Sequence, residues 1–450
     1  MKLWQKSGDA LEAVTRFTAG ADAQMDEFLI RHDLVGSMAH IIMLEQVGLL
    51  TADELNRLLH ELRALYAAAT EGAFKIEAGV EDIHSQVELE LTRRLGDDGK
   101  KIHSGRSRND QVLVDIKLFL RDEVQSLVHS IGSLFSLLLK LSEEHREILL
   151  PGYTHYQLAM PSSFGLWFGA YAESLADDLL PLRSAWRYAN RNPLGSAAGY
   201  GSSFPLDREL TTRLLGFEGL HVNVVNAQMS RGKTEKMVAQ ALSHTAATLG
   251  RLAMDACLYL NPNFGFISFP SELTTGSSIM PHKKNPDVFE IIRARCNQLQ
   301  SLPGEITQVM ANLPSGYHRD LQLVKELLFP AFGVLRDCID MTSLMLSSVT
   351  VRRDILSEDR YKFLFSVEEV NKLVLAGMPF RDAYRKVGED IEAGRFSPEG
   401  SVHHTHLGSI GNPGNDKLRI YFEAELAAFG FQNVNEAIRR LITEAPGGSR

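Results

Sequence analysis

The apolar positions fall in long runs spaced three and four residues apart, the period of one face of an α-helix. From about Asn109 to His145 they are Leu113, Ile116, Leu120, Val124, Leu127, Ile131, Leu134, Leu138 and Leu141. This is the spacing of a helix-bundle seam. At 1.5 Å per residue such a helix is roughly 55 Å long. A compact domain of ~150 residues has a radius of gyration of only about 15 Å. The pattern predicts an elongated bundle whose ends need partners.

An earlier helix opens at Thr51-Ala52-Asp53-Glu54, which has the form of a capping box. It continues through Leu55, Leu58, Leu59, Leu62, Leu65 and Tyr66, with Gly72 as its stop. Helical patterns also fit 162–190 (bent or broken at Pro181), 232–260, 287–312 and 319–348. Strand signals are few, the best being His221 to Val225. The first proline is Pro151, so a third of the chain lacks the strongest helix breaker. The predicted architecture is all-α, with an N-terminal helical domain at 1–108, a central long-helix bundle at 109–350 and a smaller C-terminal helical domain at 351–450.

The chain has 450 residues, 44% of them hydrophobic and 23% charged, enough for a sizeable core. With 47 Lys and Arg against 56 Asp and Glu the net charge is −9, which argues against a nucleic-acid binder. Neither a signal peptide nor a bilayer-spanning stretch is legible. Cys257, Cys296 and Cys338 lack zinc or CxxC spacing. A soluble, cytoplasmic protein with no membrane partner is expected.

Three polar stretches interrupt the helices, where function tends to sit. In 103–112, HSGRSRNDQV, Arg106, Arg108 and Asn109 offer planar donors suited to carboxylates. In 151–161, PGYTHYQLAMP, Thr154 and His155 place a hydroxyl beside an imidazole in a loop between prolines. In 274–290, TTGSSIMPHKKNPDVFE, Gly276 gives the serines after it conformational freedom. Asn285 suits an N-cap and Pro286 the first helical position. Lys283 and Lys284 would then stand at a helix N-terminus, an anion-binding arrangement, with Glu290 one turn inside. Ala227–Thr234, AQMSRGKT, fits a loose phosphate-loop pattern but lacks the glycine-rich turn and the alternating strands of a real one. His403, His404 and His406 read as a polar loop rather than a metal site.

These three stretches resemble the signature regions of the fumarase/aspartase superfamily, and in detail those of its argininosuccinate lyase branch. Arg-Ser-Arg-Asn-Asp and Lys-Lys-Asn-Pro are the discriminating features. Glu81-Asp82-Ile83-His84, Asn192-Pro193-Leu194-Gly195, Tyr317 with Asp320-Leu321-Gln322, and Gly377-Met378-Pro379-Phe380-Arg381 are similar too. The resemblance implies a homotetramer whose active sites draw the three regions from different subunits. It implies reversible cleavage of argininosuccinate, a small-molecule substrate, to arginine and fumarate in arginine biosynthesis, with no metal or cofactor. By the same resemblance Ser277 is the base, Lys283 stabilises charge, and His155 paired with Glu290 positions water or handles the leaving-group proton. His84, Arg108, Asn109, Thr154, Asn285, Tyr317, Gln322 and Lys325 are the implied substrate-binding residues. The sequence departs from the branch at Trp4-Gln5-Lys6-Ser7, Asp22, Asn226–Lys236, His282 and Leu323-Val324. These departures bear on the arginine-bearing half of the substrate and leave a modified argininosuccinate open.

Overall fold

The computed structural model describes residues 12–444, so Trp4, Gln5, Lys6 and Ser7 and the start of the stretch read for a signal peptide lie outside the described residues. The described residues are 66% helical. Helices α1 (Ile30–Gln46), α2 (Ala52–Thr70) and α3 (Ile83–Leu95) precede the longest one, α4 (Arg108–Glu144). The capping box at Thr51 forms as predicted, its hydroxyl accepting from the Glu54 amide. A second capping box, Ser107 with Asp110, starts α4 one or two residues earlier than the apolar pattern alone suggested.

The predicted seam of α4 is the core, with Leu120, Val124, Leu127, Ile131, Leu134 and Leu138 all at 0% exposure. Among the described residues α4 alone is long and apolar enough by composition to cross a membrane. It packs against α1, α5 (Phe164–Asp177), α6 (Leu179–Ala189) and α10 (Leu323–Ser347). It also buries Asp115, Lys117 and Arg121, which marks it as the core helix of a bundle. Lys117 donates to Tyr188 O at 3.0 Å and Thr234 Oγ1 at 3.1 Å. Burial pushes this lysine down to about 7.

Helix α7 (Lys233–Leu260) lies beside α8 (Asp287–Leu299), α9 (Leu302–Met310) and α10. The segment predicted at 162–190 breaks at Asp178, so Pro181 falls in the first turn of α6, where its missing N–H costs nothing. The predicted 287–312 helix is likewise two, α8 and α9, parted at Gln300 and Ser301. After the bundle come α11 (Ser366–Leu375), α12 (Phe380–Glu392), α13 (Asn415–Ala427) and α14 (Phe431–Thr443). Phe422 of α13 stacks on Phe135 of α4, ring centroids 4.1 Å apart.

The strand prediction was misplaced. His221–Val225 spans a loop and the start of a short helix, Val224–Met229, and the neighbouring ladder is only Gly219–Leu220 against Arg191–Asn192. The longest strands are β1 (Leu149–Thr154) and β2 (Gln157–Ser163), an antiparallel hairpin where a loop between prolines was expected. Pro151 and Pro161 face each other across this two-stranded ladder, where both strands are edges and a missing donor is tolerated.

Candidate active site

The sequence-predicted site residues occupy three separate places. The first surrounds the start of α4. There the Ser107 hydroxyl accepts from the Asn109 amide, and Asp110 Oδ1 accepts from the Ser107 amide at 2.9 Å. Asp110 Oδ2 accepts from the amides of Gly195 at 3.0 Å and Ala197 at 2.9 Å, so the helix start is tied to the Asn192–Ala198 turn. Burial pushes Asp110 up to about 6 against these amide donors.

The Arg108 guanidinium is held by Glu81 at 3.2 Å, by Asp82 at 3.1 Å and by the Ser85 hydroxyl at 2.7 Å. Asn109 Nδ2 reaches Ala198 O at 3.5 Å. His84 is buried in the first turn of α3, next to Ser85. Lys325, at the start of α10, is 1% exposed and donates to Asp26 Oδ1 at 2.5 Å, with Asp22 against the same ammonium. Asp26 Oδ2 in turn accepts from the Ile83 amide at 3.4 Å, which links Lys325 to the His84 turn. Gln322 accepts from Arg231 at 3.4 Å. Tyr317, pushed up by burial, interacts electrostatically with Arg231, Asp22 and Lys325. Thus His84, Arg108, Asn109, Tyr317, Gln322 and Lys325 form one contiguous group.

The second place is the tip of the β1–β2 hairpin. His155 and Tyr156 form its two-residue turn, with φ of 53° and 59°. Two successive positive φ angles are the signature of a type I′ turn, usually given to Asn or Gly. Holding non-glycine residues there costs of order 1 kcal/mol each. Thr154, His155 and Tyr156 are all exposed, Tyr156 by 88%, with Leu158 and Met160 exposed alongside.

The third place is the loop 277–283, closed by β3 (Thr275–Gly276) pairing with β4 (Lys284–Asn285). Gly276 has no positive φ; it lies in this extended ladder. The Ser277 oxygen accepts from the backbone amides of Met280 at 3.1 Å and Ile279 at 3.3 Å. Two amides aimed at one hydroxyl oxygen favour its anionic form. Lys283 and Glu290 are exposed, and no contact joins Lys283 to Ser277 or Glu290 to His155 among the described residues. Helix α8 starts at Asp287, with Pro286 in the cap position and Asn285 in the ladder, one residue later than expected. Asn285 Nδ2 reaches the Thr275 hydroxyl at 3.4 Å, and that hydroxyl also donates to Asp287.

Helix lengths keep the three places apart within one chain. Arg108 begins α4 and the hairpin follows its far end, about 55 Å away for 37 residues. Arg231, which holds Gln322, lies two residues before α7, while Cys257 near the other end of α7 lies within electrostatic reach of Glu290. That helix has 28 residues, or about 42 Å.

Among the described residues, the one group whose donor atoms converge as metal ligands do is Asp33, His84 and Asp115. There His84 Nδ1 is hydrogen-bonded to Asp33 Oδ1 at 2.7 Å, so a proton occupies the gap. Sequence reasoning found His84 but missed Asp33, Asp26 and Asp115, which carry no local motif. His404 pairs with Glu368 at 3.2 Å. The AQMSRGKT segment is not a phosphate cradle. Its Arg231 forms a buried ion pair at 2.9 Å with Glu235, the residue that follows the segment, and its Thr234 hydroxyl is taken by Lys117.

Residues 13–301 match the profile of a family described as Lyase, which places this long-helix bundle among the lyases. An argininosuccinate lyase from Bacteroides fragilis is 59% identical over 441 residues, 98% of this chain and 99% of its own. One from Parabacteroides distasonis is 60% identical over the same shares. The chain belongs to the argininosuccinate lyase family, within the fumarase/aspartase superfamily. Its fold also matches a crystal structure of EDDS lyase in complex with formate, with a TM-score of 0.73 at 21% identity, covering 97% of this chain and 95% of that one.

Proposed function

We propose that the protein catalyses reversible β-elimination of argininosuccinate to L-arginine and fumarate, the last step of arginine biosynthesis. The observation that carries this reading is identity of 58–60% over 98% of the chain to relatives bearing that enzyme's name. The reaction removes a proton next to a carboxylate and expels a guanidinium nitrogen.

In this reading Ser277 takes the proton. An unaided serine is far too weak a base, and the Ile279 and Met280 amides at its oxygen, with Lys283 nearby in sequence, supply the stabilisation. Lys283 also balances the charge that develops on the substrate carboxylate. His155, oriented by Glu290, positions water or delivers the proton to the departing nitrogen. Arg108, Asn109, Thr154, Asn285, Tyr317, Gln322, Lys325 and His84 bind the substrate.

Four copies assemble so that Arg108 of one, His155 of another and Ser277 of a third converge. The exposed Tyr156, Leu158 and Met160 support this reading, because such an apolar tip suits insertion between neighbours. The cytoplasm is its expected location, and small molecules rather than nucleic acid or membrane are its expected partners.

Adding argininosuccinate to the purified protein and following fumarate by ultraviolet absorbance tests the reading. Fumarate and arginine should appear in equal amounts, and none should be released from adenylosuccinate. A well-folded protein that yields no fumarate from argininosuccinate would overturn it.

A further inference from the structure

His84 is 6% exposed and meets acids from four places in the fold. Asp33 comes from α1, Asp115 from α4, Asp26 from the short Asp22–Asp26 helix, and Asp82 from the cap of its own helix. The cations nearby are Arg106, which faces Asp33 and Asp115, His103, and Lys325, which is already held by Asp22 and Asp26. Nδ1 of His84 donates to Asp33 Oδ1 at 2.7 Å and lies 3.5 Å from Asp115 Oδ2. Asp33 Oδ2 and both oxygens of Asp115 have no hydrogen-bond partner. Nor does Nε2 of His84 among the described residues. Ser85, the next residue, holds Arg108.

A buried imidazolium with one nitrogen fixed and the other unpaired, one residue from a guanidinium anchor, is built to receive an anion. We propose that Asp33, seconded by Asp115, is a positioning residue that keeps His84 cationic, with its ring fixed so that Nε2–H donates to a carboxylate of the substrate. This rests on the argininosuccinate reading above. Burial opposes the charge on His84, but Asp33, Asp115 and Asp82 outweigh it and raise the imidazole to about 9. Asp115, buried beside Asp33, is itself pushed well up. Asp33 makes the closer contact with the ring, 2.7 Å against 3.5 Å, and Asp115 makes the weaker contribution.

The test measures kcat and KM for argininosuccinate from about pH 6 to about 9.5, in wild type, Asp33→Asn and Asp115→Asn, each also in a His84→Gln background. Wild-type KM should stay flat and rise only above about pH 9. In Asp33→Asn the rise should move to near the ordinary imidazole value of ~6.5 or lower. KM at pH 8 would then be raised roughly tenfold or more, with kcat changed less than about twofold. Asp115→Asn should shift the rise in the same direction by less. In the His84→Gln background neither substitution should add a pH effect. An unmoved KM limb in folded Asp33→Asn overturns the proposal, as does an equal loss at every pH. If Asp33→Asn does not fold, an unmoved limb in Asp115→Asn overturns it instead. Wild type that releases no fumarate would refute the assigned reaction, not this inference. Proton NMR titration of the His84 ring, assigned by its loss in His84→Gln, then decides: a pKa that Asp33→Asn lowers supports the inference, and an unchanged one overturns it.

Discussion

Arg108 and His155 stand beyond reach of each other in one chain, at opposite ends of a single 37-residue helix. Arg108 is the first residue of that helix, and His155 sits on the exposed turn of the hairpin that follows its last. No rotation of side chains spans a helix about 55 Å long. A substrate the size of argininosuccinate can touch both only when separate copies bring them together.

In the proposed mechanism Ser277 is the general base. Replacement by alanine should lower kcat by ~10²–10⁴-fold, the range of a lost general base, with KM changed much less. Steady-state kinetics on fumarate release measure both. Normal turnover in Ser277→Ala would assign the base elsewhere.

His221 should govern part of the acid sensitivity. Burial, with Lys117, Arg191, Arg208 and Lys233 around it, pushes this imidazole down to about 3. The unfolded chain takes up its proton below about 6.5, so the unfolded state binds more protons between these values. This contribution to stability is complete above about pH 6.5 and is lost as pH falls toward 3. At pH 5 the loss from His221 alone is about 2 kcal/mol. Urea denaturation at pH 7 and pH 5 should show a shallower acid loss for His221→Gln than for wild type.

Phe422 docks the C-terminal α13 on the core by stacking on Phe135 of α4, with the planes 14° apart. Phe422 is 4% exposed. Phe422→Ala should cost about 3–5 kcal/mol, as large-to-small changes at buried aromatics do. Thermal or urea denaturation checks this, and a loss below about 0.5 kcal/mol would mean that the contact carries no weight.

Much of the fold was legible because the bundle states itself locally. The seam from Leu113 to Leu141 and the capping box at Thr51 need no knowledge of the rest of the chain. What sequence missed depends on distant partners. The hairpin at 149–163 carries prolines and a glycine, which argue against strand on propensity alone, and only pairing with its own second half makes it one. The candidate site divided in the same way. Arg108, His155 and Ser277 sit in polar, glycine-bearing stretches that interrupt helices, so they could be picked out. Asp26, Asp33 and Asp115 lie on helices where one acid looks like any other. Their meaning comes from the fold, which sets Lys325 and His84 against them.

The most direct test of the assembled site uses two inactive variants. Arg108→Gln and His155→Asn chains should each be nearly inactive when purified alone. Coexpressed in one cell and purified as a mixed assembly, they should regain a measurable share of wild-type fumarate release. Some sites then draw an intact Arg108 from one kind of chain and an intact His155 from the other. A mixed assembly, verified to contain both chains, that is no more active than either variant alone would contradict the account.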